Sequence, residues 1–124
     1  MNINSLMTPI PYGLMELDEA GTVLHYKPED RGLFVKPEGE IVGSNFFTDI
    51  AAIAGAKDFQ HHIKEFRRGH APAQSFTYIF ELKHRRFPVR VLLARTHERS
   101  TEGGAHPVES VFVHIRPQAD RAAA

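Results

Sequence analysis

The sequence predicts an α+β domain in which helices pack over one face of a five-stranded antiparallel sheet. Two short strand patterns stand at the start of the chain, an amphipathic helix follows, and three alternating strand patterns come last. Because all helical segments fall between the second and third strands, the helices are expected on one side of a single sheet. The length of 124 residues suits one domain.

A β-hairpin is predicted near the start of the chain. Residues 12–17 and 22–26 have strand-like composition, and residues 18–21 between them read DEAG. Gly21 at the end of this turn is free to take a positive φ, which a tight hairpin turn needs. Two short strands joined by such a turn are typical of a hairpin.

The middle of the chain is predicted to be irregular first and helical afterwards. Residues 27–44 contain five Pro and Gly breakers, which exclude a long element. Asn45 is expected to cap a short helix over residues 46–50. A longer helix is expected over residues 57–68, ending at Gly69, where a C-terminal glycine is common. Its apolar face has i, i+3, i+4 and i+7 spacing and consists of Phe59, His62, Ile63 and Phe66.

Three further strands complete the predicted sheet. Residues 73–82, 87–96 and 108–115 each place apolar side chains at alternate positions. The packed domain is expected over residues 11–116. Residues 1–10 are expected to be a flexible N-terminal segment and residues 117–124 a disordered tail.

Composition excludes several classes of function. The chain has 15 basic and 15 acidic residues, which argues against a nucleic-acid-binding protein and against a polybasic membrane protein. It has no cysteine, so disulfides, thiolate metal sites and catalytic thiols are excluded. No apolar run approaches the ~20 residues of a membrane span, and no secretory signal is visible, so we expect a cytoplasmic protein.

The zero net charge hides an asymmetry along the chain. Residues 1–60 carry nine acidic and four basic side chains, whereas residues 61–124 carry six acidic and eleven basic ones. Such a division favours self-association or a charged partner, although a scattered, solvated surface also accounts for it.

Several segments of the chain carry a family resemblance, and the most specific is GSNFFTDIA at residues 43–51. The others are PYGLMELD at 11–18, GTVLHY at 21–26, FTYIF at 76–80, PVRV at 88–91 and VFV at 111–113. In these segments the chain resembles the PAS domains, and among them the photoactive yellow protein branch, over roughly residues 10–116. The resemblance implies a PAS fold with strand order 2-1-5-4-3.

The resemblance also implies a pocket between sheet and helices. In that family the pocket holds a p-coumaroyl chromophore, attached to a cysteine as a thioester and hydrogen-bonded by a Tyr and a Glu. The cysteine position falls on Ile53, the Tyr on Tyr26 and the Glu on Asp30, while a family Thr falls on Phe34. Because this chain has no cysteine, no covalent p-coumaroyl chromophore can form, and we expect no cofactor.

A noncovalent ligand site is therefore the sharpest functional hypothesis. Tyr26 and Asp30 can bind a hydroxyl or carboxyl of a small ligand, or can move a proton. The alternative is that Asp30 is solvated and Tyr26 belongs to the core. The candidate ligand-binding residues are Tyr26, Asp30, Phe34, Phe46, Ile53 and His62.

No metal site is predicted. The eight histidines lack zinc-ligand spacing, because His61 and His62 are adjacent and point apart on a helix. His70 falls near the axial-ligand position of haem-binding PAS domains, but a lone histidine there is weak support for haem.

Three functions remain open. The first is a sensory or interaction PAS domain that binds a small, partly apolar ligand noncovalently or pairs with another PAS domain, with a homodimer as one option. The second is a small cofactor-free isomerase or cyclase that uses Asp30 and Tyr26 as its acid–base pair. The third is a structural module with a filled core and only protein partners. We expect neither nucleic acid nor membrane as a partner.

Overall fold

A computed structural model describes residues 7–8, 10–29, 33–34, 41–82, 84–98 and 108–118. The elements are β1 (Met7–Thr8), β2 (Gly13–Leu17), β3 (Val23–Pro28), β4 (Leu33–Phe34), α1 (Ala51–Ala54), α2 (Lys57–Arg68), β5 (Ala73–Leu82), β6 (Arg85–Glu98) and β7 (Val108–Pro117).

Five of these strands form one antiparallel sheet in the order β3-β2-β7-β6-β5. This order confirms the predicted 2-1-5-4-3 arrangement, with the last strand lying beside the first. A separate two-stranded sheet pairs β1 with β4 in parallel. The inner face of the large sheet carries the alternating apolar residues of the last two strands, which are fully buried. These residues are Val89, Val91, Leu93, Val111, Val113 and Ile115.

The predicted hairpin is formed by β2 and β3. Gly21 has φ 91° in the turn, as expected, and its N–H donates to the Asp18 carbonyl at 3.0 Å. The Asp18 carboxylate accepts hydrogen bonds from the N–H groups of Ala20 and Thr22, both at 2.9 Å. The turn is thus closed by its own aspartate, which is a common role for Asp in turns.

The long helix is confirmed as α2, over the predicted residues. Phe59, Ile63 and Phe66 are its buried residues, and they pack against the inner face of the sheet. Gly69 follows the helix with φ −82°, so this glycine does not take the left-handed conformation that helix-ending glycines often adopt.

The short helix predicted at residues 46–50 is wrong. This segment forms turns, and helix α1 begins at Ala51. Asn45 does cap the segment, because its side-chain oxygen accepts from the N–H groups of Phe47 and Thr48. Its side-chain amide also donates to the Ala20 carbonyl, and Phe46 N–H donates to the Gly21 carbonyl. These bonds fix the segment to the hairpin turn.

Three polar side chains hold α2 in place. Gln60 donates its side-chain amide to the carbonyls of Ile53 and Ala54 at the end of α1. Arg67 donates to the Asp18 carbonyl in the hairpin turn. At the same, C-terminal end of the helix, Arg95 of β6 donates to the Phe66 carbonyl. The helix is therefore tied both to the sheet and to the turns around it.

The packed chain starts before residue 11. Met7 and Thr8 pair with β4, and Ile10 is completely buried, so this part of the expected flexible segment contacts the core. At the other end, Gln118 N–H donates to the Pro88 carbonyl at 3.1 Å. The expected flexible start over residues 1–6 and the expected tail over 119–124 lie outside the described residues. The domain limits of 11 and 116 stay predictions.

Candidate functional site

A cleft of about 440 Å³ opens where the junction of α1 and α2 meets strand β5. Apolar and polar side chains both line it, and the edge strand of the sheet forms one wall. The lining residues are Ala52, Gly55, Ala56, Asp58, Tyr78, Ile79, Phe80, Glu81 and Leu82. A volume of this size lies within the range of small-molecule sites, which is roughly 300–1,000 Å³.

Tyr78 connects the cleft to the start of α2. Its ring contacts the ring of Phe59 in the first turn of α2, with the two centroids 5.3 Å apart. The side chain before the helix, Ala56, cannot cap it. Burial raises the pKa of the Tyr78 phenol, and the nearby Asp58 and Glu81 carboxylates raise it further. The phenol therefore stays protonated at neutral pH.

The rim of the cleft is acidic. Asp58 lies in the first turn of α2, where the helix dipole favours a carboxylate. Glu81 on β5 lies 3.5 Å from Arg86, which partly balances its charge. The rim can accept hydrogen bonds at its carboxylates and can donate one from Tyr78.

The aromatic core lies directly behind the cleft. Phe59 is in contact with the rings of Tyr78 and Phe80, at centroid distances of 5.3 and 5.0 Å. Phe59 also packs against Phe46, at 6.1 Å. A movement of Tyr78 or Phe80 at the wall of the cleft can therefore be transmitted through the Phe59 ring to the buried face of α2.

Phe46 and Ile53, two of the predicted site residues, are completely buried. Both belong to the hydrophobic core, and neither lines the cleft, although Ala52, the neighbour of Ile53, does. Their predicted role in ligand binding stays a prediction.

Tyr26 is buried and its hydroxyl donates to the Tyr12 carbonyl at 2.9 Å. This bond ties the end of β3 to the residue before β2. Asp30, its predicted partner, lies outside the described residues, and the predicted proximity of the two side chains stays a prediction.

His62 stacks on Phe76, with ring centroids 4.1 Å apart and ring planes 14° from parallel. The stack packs helix α2 onto strand β5 and gives this histidine a structural role. Phe34 lies in β4, paired with Thr8 through the backbone.

The cleft residues Asp58, Tyr78 and Glu81 were not predicted as a site from the sequence. The alternation in residues 76–80 placed Tyr78 on the inner face, and the helix prediction placed Asp58 in its first turn. The sequence did not predict that the start of α2 contacts the edge strand β5. In the described part of the chain, no three His, Cys, Asp or Glu side chains are grouped to hold a metal ion. The described helices are all too short or too polar to cross a membrane.

Photoactive yellow proteins are similar to this chain in sequence. The photoactive yellow protein of Halochromatium salexigens is 28% identical over 85 residues, which cover 68% of each chain. That of Cereibacter sphaeroides is 33% identical over 85 residues, 66% of each chain. The chain thus matches about two thirds of the length of these relatives. No family model matches the sequence.

The fold is shared with a solved PAS domain. The PAS domain of BvgS from Bordetella pertussis has a TM-score of 0.57 to this chain at 12% sequence identity, covering 91% of this chain and 81% of that one. Sheet order, helix placement and this similarity show that the chain has the PAS fold.

In sequence the chain is similar to photoactive yellow proteins, but it has no cysteine. Attachment of a chromophore through a cysteine thioester is therefore not available to it.

Proposed function

We propose that this PAS domain is a cytoplasmic sensor that binds a small, partly apolar ligand noncovalently in the cleft between α1, α2 and β5. The single observation that carries the proposal is the cleft itself, which is lined both by apolar side chains and by the polar groups of Asp58, Tyr78 and Glu81. Such a combination is typical of small-molecule sites, because apolar walls supply affinity and a few polar groups fix orientation.

The chemistry of the rim indicates the class of ligand. Asp58 and Glu81 are acceptors, and Tyr78 is a donor or acceptor with a protonated phenol. A ligand that carries a hydroxyl or amine donor fits these groups, whereas a carboxylate beside Asp58 and Glu81 is disfavoured by like-charge repulsion.

The signal follows from the position of Tyr78. A ligand that displaces the Tyr78 side chain changes its ring contact with Phe59 in the first turn of α2. The other end of α2 remains held by Arg67 and Arg95. Ligand binding then shifts the population of states at one end of the helix, provided that the ligand prefers one state over the other. A partner protein would detect this shift.

The enzyme hypothesis has no observation that favours it over the sensor. It requires Asp30 as the acid or base, which is not among the described residues, and Tyr26, whose hydroxyl donates to the Tyr12 carbonyl. It stays a hypothesis, and loss of turnover in Asp30→Asn with retained binding would support it.

Native mass spectrometry of freshly purified protein, followed by extraction of small molecules, tests the sensor proposal. We expect a noncovalent ligand to copurify with wild type and with Gly55→Ala, but not with Gly55→Leu. Gly55 lines the cleft, its φ is −95°, and a Cβ there would meet no atom within 4 Å, so both substitutions fit the backbone. Equal ligand content in Gly55→Leu and wild type would exclude the cleft as the site.

A further inference from the structure

Strand β5 forms one edge of the five-stranded sheet, and no described strand pairs with its far side. Arg95 N–H of β6 donates to the Pro72 carbonyl at 3.2 Å, and from there the register of the two strands continues without a shift to Leu82. In an antiparallel pair, only alternate residues bond to the neighbouring strand. The even-numbered residues of β5 therefore bond to β6, and the odd-numbered ones direct their N–H and C=O groups away from the sheet.

Four of these outward-facing residues follow one another at alternate positions of β5. They are Ser75, Thr77, Ile79 and Glu81, and all four are exposed. No described residue accepts from their N–H groups or donates to their carbonyls. A row of unpaired main-chain groups at the edge of a sheet is a template on which a further strand can form.

The opposite edge of the sheet, strand β3, is protected in ways that β5 is not. Val23 N–H donates to the Ser44 carbonyl and the Val23 carbonyl accepts from Gly43 N–H, so a turn segment covers the start of β3. The end of β3 carries Lys27 and Pro28, and both residue types discourage further pairing at an edge. The ten residues of β5 include no Lys, Pro or Gly. Within the described part of the chain, the sheet thus has one protected edge and one open edge.

The cleft between α1, α2 and β5 borders the open edge. Five consecutive residues of β5, from Tyr78 to Leu82, line the cleft. Side chains of consecutive residues point to opposite faces of a sheet, so an unbroken lining means that the cleft runs along the main chain at the edge of the strand. A strand added to β5 would lie about 4.8 Å away. Its residue opposite Phe80 would point to the same face as Phe80 and lie over the cleft.

We propose that β5 binds an extended peptide segment of a partner protein as a sixth strand of the sheet, with a basic side chain of that segment over the cleft beside Asp58. Main-chain hydrogen bonds to the outward-facing residues supply the affinity, and side chains at alternate positions supply the selectivity. The inference does not depend on a small ligand in the cleft, because these bonds form at the edge of the strand.

Charge complementarity indicates a basic residue in the partner segment. Asp58 and Glu81 line the cleft, and none of its lining residues is basic. Arg86 lies 3.5 Å from Glu81 and partly balances it, whereas Asp58 forms no ion pair with any described residue. A Lys or Arg opposite Phe80 is attracted to these carboxylates, and a Glu at the same position is repelled. On the outer face of the sheet, opposite the helices, Ile79 is 46% exposed and offers a contact to a β-branched side chain directly opposite it.

An NMR titration with a defined peptide tests this inference. The probe is a soluble peptide of alternating Thr and Val residues with one central Lys. We expect the amide protons of Thr77, Ile79 and Glu81 to exchange more slowly with solvent when the peptide binds, because they gain hydrogen bonds. The amides of Tyr78 and Phe80, which face β6, should change less. The absence of binding, or protection confined to other parts of the protein, would overturn the inference.

The same peptide with N-methyl groups on its central amides tests the main-chain bonds without any change to the protein. It has the same side chains but cannot donate from those amides, so we expect at least tenfold weaker binding to wild type. Equal binding of the two peptides would contradict strand addition.

Two variants of the protein separate the main-chain bonds from the charge contact. Ile79→Pro removes one outward-facing N–H, and proline is tolerated at such a position of an edge strand, so we expect a retained fold and at least tenfold weaker peptide binding. Ile79→Val is the matched control, because it keeps the N–H and a β-branched side chain. Asp58→Asn should reduce the preference for the Lys peptide over the same peptide with Glu. Circular dichroism checks the fold of each variant, and unchanged binding in Ile79→Pro would count against the proposed edge.

A second copy of the chain is the competing occupant of the open edge. Sedimentation velocity of wild type and Ile79→Pro without peptide distinguishes the two, and we expect the same association state for both proteins. A dimer that is lost in Ile79→Pro would assign the edge to self-association and overturn the partner assignment. Ligand copurification is a separate measurement, so this inference and the proposed function succeed or fail independently.

Discussion

The Ser110 hydroxyl donates a 2.7 Å hydrogen bond to the Glu16 carboxylate, joining the last strand of the sheet to the first. Ser110 is buried, and its oxygen also lies 2.9 Å from the hydroxyl of Thr96 on β6. Glu16 lies 2.8 Å from His25 on β3 as well. These polar contacts thus link four strands on the outer face of the sheet, in the order β6, β7, β2 and β3.

Acid should weaken the folded state through Glu16. The hydrogen bond from Ser110 lowers the pKa of Glu16, and His25 contributes in the same direction against the opposing effect of burial. The folded state therefore prefers the ionised carboxylate. This stabilisation is present above the ordinary glutamate pKa and is lost as pH falls through the lowered folded value.

Ser110→Ala should remove part of this acid sensitivity. The variant is expected to lose about 1–3 kcal/mol of unfolding free energy near neutral pH, since a hydrogen bond to a charged group is removed. The loss should be smaller at low pH, where Glu16 is protonated in both proteins. Urea unfolding of both proteins between neutral and acid pH measures this difference, and a constant difference across that range would contradict the assignment.

Gly13→Ala should be strongly destabilising. Gly13 has φ 136°, and a Cβ there would lie 2.3 Å from the Lys27 carbonyl oxygen in the neighbouring strand. Both the backbone conformation and the contact exclude a side chain, so we expect a loss of about 2 kcal/mol or more. Gly55→Ala is the control, because its φ and surroundings accept a methyl group. Comparable unfolding midpoints for the two variants would show that the close approach of β2 and β3 is wrong.

Arg95→Ala should loosen the C-terminal end of α2. The Arg95 guanidinium donates to the carbonyls of Phe66 and Ala71 and lies 4.3 Å from the centre of the Phe66 ring. Loss of these contacts is expected to cost about 2 kcal/mol. Faster amide exchange should be confined at first to the last turn of α2.

Arg68→Ala provides the comparison for Arg95→Ala. Arg68 lies in the same turn, but its side chain is mostly exposed and contacts only Glu65, at 3.3 Å, among the described residues. An exposed ion pair of this kind contributes little, so the unfolding free energy should change by less than about 0.5 kcal/mol. If both variants unfolded alike, charge rather than the anchoring contacts would explain the effect.

Introduced thiols should distinguish the cleft from the core. Ala56→Cys is expected to react readily with a thiol reagent, because Ala56 lines the cleft and is only half-buried. Ile53→Cys should react much more slowly, since Ile53 is completely buried and labelling there requires local opening. Mass spectrometry over time measures both rates, and similar rates would mean that the cleft extends to position 53.

The wild-type protein should gain no mass after incubation with an activated p-coumaroyl thioester, because it has no thiol to acylate. Ile53→Cys supplies the thiol at the position where the related family has one. A covalent adduct on wild type would contradict the expectation.

The sequence by itself determined the class of fold, the long helix and the inner face of the sheet. Periodicity carries this information: spacing of three and four residues identified Phe59, Ile63 and Phe66, and alternation identified the buried positions of the last strands. Short connections predict that successive strands pair. The placement of the last strand beside the first was available only through the resemblance to PAS domains, since local patterns do not say which distant strands pair. The sequence also shows that the chain has no cysteine, and this alone excludes attachment of a chromophore as a thioester.

Only the tertiary structure decided where the polar groups meet. Tyr78 contacts the start of α2, Arg95 its end, and Ser110 contacts Glu16 from 94 residues away in the chain. The turns at residues 46–50 were likewise decided by bonds from Asn45 and Phe46 to the distant hairpin turn. Hydrogen bonds between distant residues depend on position in space to within a fraction of an ångström. Sequence patterns fix which face a side chain occupies, and the packing of the whole chain fixes what it touches there.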